Sequence, residues 1–141
     1  YYLPGPIICD SHDSRETILQ QPSAREVIQK AVNADLALLS VGGTNSSTLR
    51  SVGYMTEAEF EDVLAMQPIG NYLGYFFDRN ADLLDHPVNQ RIVGVAPLDT
   101  LNIPKRILVS GGRNKVGMMG KLLEKGFFTG LITDQETGAA L

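Results

Sequence analysis

Two apolar runs that each end in paired glycines constrain this chain most. Leu36-Ala37-Leu38-Leu39-Ser40-Val41 leads into Gly42-Gly43, and residues 106–110 lead into Gly111-Gly112. A near-continuous apolar run of this length is how a strand buried on both faces of a parallel sheet reads. The second run is followed by a helical pattern over 115–125 that Gly126 can stop, and residues 129–133 then read as another strand, with Asp134 as the cap of a final helix. Buried strands alternating with amphipathic helices predict an α/β fold, a Rossmann-like parallel sheet whose strands end on one edge.

The segments between fill in the rest. Residues 7–9 form a short strand candidate, and helices are expected over 14–20 and 23–33. The second of these has Ser23 and Glu26 at capping-box spacing behind Pro22, with Val27, Ile28, Ala31 and Val32 as its apolar stripe. Thr56 and Glu59 repeat the capping-box spacing, and Phe60, Val63 and Leu64 keep helical period up to Met66, just before Pro68. Residues 72–77 and 91–95 are apolar around a polar middle, which predicts a β-hairpin insertion with its tight turn near Arg79-Asn80.

Length and composition fit one globular unit: 141 residues, 43% hydrophobic and 20% charged. A net charge of −4, with 12 basic against 16 acidic residues scattered along the chain, leaves no positive surplus for a phosphate backbone, so nucleic acid is not expected as a direct partner of this segment. Cys9 stands alone beside Ile7 and Ile8 and is read as a small buried hydrophobe. No apolar run reaches the roughly 18 residues that cross a bilayer, the opening Tyr1-Tyr2-Leu3-Pro4-Gly5-Pro6 lacks the pattern of a signal peptide, and a cytoplasmic location without membrane contact is expected. That opening resembles the exit of an ordered loop, so the chain is expected to be part of something longer.

In open parallel sheets a ligand sits outside the carboxyl ends of the strands, which singles out Gly42-Gly43, Gly111-Gly112 and Asp134. The strongest local signal is Ser110-Gly111-Gly112-Arg113-Asn114-Lys115. Its glycines allow close approach to the backbone, the helix entrance offers free amides to an anion, and Lys115 adds a mobile positive charge. A plain strand-to-helix turn fits the same spacing. Gly42-Gly43-Thr44-Asn45-Ser46-Ser47 offers amides and hydroxyls without charge. Asp78, at the end of Gly74-Tyr75-Phe76-Phe77, can accept paired hydrogen bonds from sugar hydroxyls or merely open the turn through Arg79 and Asn80. His86, Asn89 and Arg91 make a further polar cluster. No nucleotide fingerprint, zinc-spaced ligand set or G-x-S-x-G elbow is present, so no cofactor is expected.

An ordered series of motifs completes the reading: Pro22-Ser23, Ala34-Asp35-Leu36-Ala37, Gly70-Asn71-Tyr72-Leu73-Gly74-Tyr75-Phe76-Phe77-Asp78, Asn89-Gln90-Arg91, Ile103-Pro104, Gly111-Gly112-Arg113-Asn114-Lys115 and Leu131-Ile132-Thr133-Asp134. Together they resemble the C-terminal effector-binding domain of SorC-type (SorC/DeoR) bacterial transcriptional regulators. The resemblance implies a fold similar to phosphosugar isomerases and aminosugar-phosphate deaminases, used as a sensor for a sugar or sugar phosphate. It implies a homo-oligomer, dimer or tetramer, that reaches DNA only through a separate N-terminal helix-turn-helix outside this chain. Residues 1–141 would be the second half of the sensor domain, with the main phosphate-gripping loop upstream. Asp78 and Lys115 match the family's sugar contacts, and Gly42, Gly43, Gly111 and Gly112 would supply backbone beside them. Where the family commonly has glycine three positions after the aspartate, Ala81 stands here, and Asn80 is expected to take the left-handed backbone of that turn. A surviving isomerase or deaminase, with Asp78 and Lys115 as acid and base, is the alternative.

Overall fold

Why the chain starts and stops its helices where it does is visible at their first residues. In the computed structural model, which describes residues 1–44 and 48–141, Ser11 opens α1 (His12–Leu19) by accepting the Ser14 amide. Helix α2 (Pro22–Val32) begins one residue before the expected Ser23 cap. Pro22 takes the first helical position, where a missing N–H costs nothing, and Gln21 caps without a side-chain bond. The Ser23–Glu26 box is therefore not formed, because the proline already holds the position that would place serine outside the helix. Glu26 instead pairs with Lys30 at 2.6 Å. After the short α3 (Thr48–Ser51), the second box forms as the sequence indicates: Thr56 and Glu59 satisfy each other's amides at the head of α4 (Glu57–Ala65).

The apolar run 36–41 is divided between two sheets. β1 (Leu36–Leu39) pairs in parallel with β5 (Lys105–Val109), which pairs in parallel with β6 (Gly130–Ile132). Beyond Ser40 the chain enters β2 (Val41–Gly42), which joins an antiparallel sheet with β3 (Gly70–Tyr72) and β4 (Tyr75–Phe77). The architecture is thus α/β, a parallel sheet with an antiparallel hairpin insertion. The expectation that this run is buried on both faces is corrected: Leu36 is 48% and Leu38 67% exposed.

The hairpin also differs in register from the sequence reading. Its tight turn is Leu73-Gly74, with φ of 54° and 87°, the doubly left-handed geometry that matches strand twist. Residues 78–82 close a separate turn, and residues 91–95 contribute only the bridge from Ile92 to Ile8. The expected strand at 7–9 is reduced to that same bridge, held by the Cys9 amide on the Arg91 carbonyl and the Val93 amide on the Ile7 carbonyl. Asn89 explains why the hairpin turns early: its side chain accepts from the Phe76 amide and donates to the Phe76 and Leu84 carbonyls, pinning β4 to the segment after it. His86 and Arg91 of the same polar cluster are structural as well, His86 capping Val88 and Arg91 meeting Glu59 at 2.6 Å.

Between the two sheets lies the core, where Phe60, Tyr72, Phe76 and Phe77 meet Met118, Met119 and Leu122 of α5 (Val116–Glu124). Phe127 and Phe128 stand edge-on to Tyr72, with ring centroids 6.0 and 5.4 Å away. Helix α5 and the closing α6 (Gln135–Ala140) both follow the parallel strands, so their N-termini lie at the edge where β5 and β6 end. No helix among the described residues is long and apolar enough to cross a membrane.

Candidate functional site

Because β1, β5 and β6 run in parallel, Ser40, Ser110 and Thr133 stand together just beyond their carboxyl ends. The Ser40 and Ser110 hydroxyls are 3.5 Å apart, and the Ser110 amide donates to the Ile132 carbonyl. An open hollow of about 310 Å³ lies against Val109, Ser110, Gly111, Ile132, Thr133 and Asp134. Thr133 lines it, and the Thr133 hydroxyl oxygen is buried without a partner among the described residues. A polar group left in that condition is costly unless something polar reaches it.

Asp134 is at this edge, as the sequence indicates, and its main engagement is local. Its carboxylate accepts from the Thr137 amide at 2.9 Å and the Thr137 hydroxyl at 2.7 Å, capping α6. Those bonds, the hydroxyl first, hold its carboxyl below the usual carboxylate range. Thr137 then accepts from the Gly112 amide at 2.8 Å, which fastens the glycine turn to α6. A Cβ at Gly111 would run into the Asp134 carboxylate, so a side chain there would displace the group that caps α6.

The other glycine pair is drawn to the same place. A Cβ on Gly43 would lie 2.6 Å from the side-chain nitrogen of Asn114, so the two glycine turns touch through Asn114. A Cβ on Gly42 would lie 2.5 Å from the side-chain nitrogen of Asn71 on β3. Gly112, with φ of 111°, turns the chain into the 3-10 turn Arg113–Lys115, and the Lys115 amide donates back to its carbonyl at 2.9 Å. Lys115 is the N-cap of α5 and is half-buried. Among the described residues its ammonium meets no carboxylate. A second hollow of about 400 Å³ opens beside Gly42 and Asn71, with Tyr54, Leu73 and Val93 among its walls.

Gly42, Gly43, Gly111, Gly112 and Lys115 are therefore gathered at one edge. Asp78 is placed elsewhere. Its carboxylate accepts from the Asn80 and Asp82 amides at 2.8 and 3.0 Å, closing the turn that follows β4. That turn is tied to the end of α5 remote from Lys115, where Lys125 donates to the Ala81 carbonyl at 3.0 Å and meets Asp82 at 2.6 Å. Ten residues of helical rise, roughly 15 Å, separate the two lysines. The left-handed residue in this turn is Ala81 itself, at φ 56°, and not Asn80. Residues 45–47 of the first glycine loop lie outside the described residues.

Sequence reasoning missed Asn71 and Thr137. Asn71 follows Gly70 at the head of a strand, where an inward polar side chain is the available signal. Thr137 had none, since its link to Gly112 spans 25 positions.

A family model described as "Putative sugar-binding domain" matches residues 1–141. The chain belongs to this sugar-binding domain family. Among its relatives is the deoxyribonucleoside regulator of Bacillus subtilis, 30% identical over 141 residues, which cover 99% of this chain and 45% of that protein. The chain thus spans somewhat under half the length of the curated relatives it matches. Its fold is similar to that of a DeoR family transcriptional regulator from Listeria monocytogenes, at a TM-score of 0.89 and 21% identity, covering 100% of this chain and 58% of that one. It is similar as well to the "putative sugar-binding domain of transcriptional repressor" from Vibrio fischeri, at 0.87 and 22%, covering 99% and 56%. The SorC/DeoR resemblance drawn from the motifs is thereby borne out, and these relatives are transcription regulators.

Proposed function

We propose that this sugar-binding domain is the effector-sensing part of a cytoplasmic, sugar-responsive transcription regulator. Its ligand is a sugar or sugar phosphate held at the carboxyl edge of the parallel sheet. The observation that carries the reading is Lys115: a half-buried lysine whose side chain meets no carboxylate among the described residues, at the entrance of α5 and next in sequence to Asn114, which touches Gly43. An ammonium, helix-entrance amides and bare glycine backbone together suit a phosphate or another anionic oxygen. Asn71 and the Ser110 and Thr133 hydroxyls suit the neighbouring sugar hydroxyls. The Asp78 carboxylate serves its turn, so the ligand's polyol contacts fall to these neutral groups.

Binding acts by shifting an equilibrium between states of a homo-oligomer, which requires the ligand to favour one of them. DNA contact belongs to a separate module, consistent with the net charge of −4 here. The domain binds without turnover, since the acid that an isomerase would set opposite Lys115 is tied into a turn at the other end of α5. The test is calorimetry of the protein with glucose 6-phosphate, ribose 5-phosphate and the free sugars. Lys115→Ala is expected to weaken binding of a phosphorylated ligand about 10- to 100-fold, the worth of one charge-assisted hydrogen bond. Unchanged affinity moves the site away from this edge, and isomer formation that depends on Lys115 makes the domain an enzyme.

A further inference from the structure

The tip of the hairpin holds a residue that its backbone disfavours. Leu73 and Gly74 take φ of 54° and 87°. The pair that suits such a turn is Asn-Gly, because asparagine enters left-handed backbone far more easily than leucine does. A leucine kept there at a cost in backbone energy points to a use for its side chain, since strained residues gather where a binding surface needs them. Part of that use is structural, as Leu73 packs against the edge of the core. The rest lies on the other side, where Leu73 lines the hollow of about 400 Å³.

Leu49, Val93 and Val95 line the same hollow, and among the described residues no charged side chain does. Its polar side chains are those of Tyr54 and Asn71. The Asn71 amide makes no side-chain hydrogen bond among the described residues, and it fills the space that the missing Gly42 side chain leaves. Small-molecule sites have this make-up: a concave, mostly apolar wall with one or two polar groups that orient the ligand. A phosphate is a poor occupant, because nothing in the wall balances its charge. A bare sugar ring is a poor one too, because most of its hydroxyls would be buried without partners. What fits is an uncharged group with few hydroxyls, and a hollow of this size takes a ring where a methyl would leave it mostly empty.

The hollow borders the sugar edge. Gly42 is in its wall, and the next residue, Gly43, is the one that touches Asn114 in the turn leading into α5. We propose, resting on the sugar reading above, that the hollow takes an apolar aglycone of the effector, an aryl or alicyclic ring joined to the sugar through a glycosidic oxygen, and that Leu73 sets the preference for it. Leu73, Val93 and Val95 cover the ring, and the Asn71 amide holds a sugar oxygen at the junction.

Calorimetry of the intact protein with glucose 6-phosphate and with both anomers of phenyl glucoside 6-phosphate tests it. At least one anomer of the phenyl glucoside is expected to bind about tenfold more tightly than glucose 6-phosphate, the worth of burying a ring. Leu73→Asn, which suits the turn and puts an amide in the wall, is expected to cut that ratio to below about threefold. Val95→Thr keeps the shape of the wall and adds a hydroxyl, so it should lower the ratio as well, and it decides the matter if Leu73→Asn fails to fold. Equal affinities in the wild type overturn the subsite and leave the sugar reading standing. A preference for the glucoside that neither variant lowers overturns it too, because the ring then sits elsewhere. If neither compound binds, the sugar reading and the subsite fall together.

Discussion

Helix α5 carries a lysine at each end, and the two are used in opposite ways. Lys125, just past its last turn, donates to the Ala81 carbonyl and pairs with Asp82, so its charge is spent on holding the 78–82 turn. Lys115, at the first turn, has no carboxylate partner among the described residues; its amide bonds the Gly112 carbonyl, and its sequence neighbour Asn114 touches Gly43. Both are lysines at the ends of one amphipathic helix, and each lies close to glycine in sequence. What separates them is the tertiary neighbourhood: a carbonyl and a carboxylate at one end, bare backbone at the other. A charge that the fold does not use is the better guide to a ligand.

The sharpest way to break that contrast is to remove each lysine in turn. Lys115→Ala should cost the 10- to 100-fold in sugar-phosphate affinity given above while leaving the melting temperature of the free protein nearly unchanged. Lys125→Ala should do the reverse, leaving affinity within about twofold because its ammonium never reaches the glycine edge. If both variants lose affinity equally, the two ends of α5 are not distinct and the site spans the helix.

Next in size is Asp134, which supports the Lys115 end from behind. Asp134→Ala removes the cap of α6 and loosens the hold of Thr137 on the Gly112 amide, so the melting temperature should fall by a few degrees. Because the folded state holds this carboxyl below its unfolded value, its stabilisation is fully present above the ordinary carboxylate range and is lost as pH falls through the folded value. Thermal scans between about pH 6 and pH 2 should therefore show a narrowing gap between wild type and Asp134→Ala. A constant gap assigns the loss to the shape of the turn and not to the charge.

The two ends of α5 also differ in how well the sequence announced them. The glycine edge was legible because strand, glycine pair and helix follow one another locally: β5 and α5 came out within a residue or two, and so did β6 and the Asp134 cap. The Thr56–Glu59 box was legible for the same reason. What the chain does across long distances was not. Residues 91–95 are apolar enough for a strand, yet Asn89 binds β4 first and leaves them a single bridge. Asp78 could be read from its neighbours as a turn opener or as a sugar contact, and only the structure shows the Asn80 and Asp82 amides claiming it for the turn. Leu38 looked buried because its pattern belongs to a sheet with both faces covered, and the described residues cover one.

That left-handed alanine sharpens the comparison further. Ala81 at φ 56° carries a cost of about 1–2 kcal/mol that glycine does not. Its methyl is buried and glycine has the larger unfolded-state entropy, so part of the gain is offset. Ala81→Gly should raise stability by about 0.5–1 kcal/mol in urea unfolding, with sugar-phosphate affinity unchanged. A destabilised Ala81→Gly protein means that the packing of this methyl outweighs the backbone strain.

The smallest expected effect is the ion pair itself. Lys125 and Asp82 are 37% and 66% exposed at the side chain, so solvent screens most of their attraction. A double-mutant cycle with Lys125→Ala and Asp82→Ala should give a coupling of about 0.5 kcal/mol, reduced further in 0.5 M salt. The single Lys125→Ala variant should lose somewhat more than that coupling, because it also leaves the Ala81 carbonyl without its donor. A coupling near zero would mean that the lysine holds the turn through the carbonyl alone. Lys125 would then be a backbone clamp on the one strained residue of the turn, and the contrast with Lys115 would rest on geometry without any help from charge pairing.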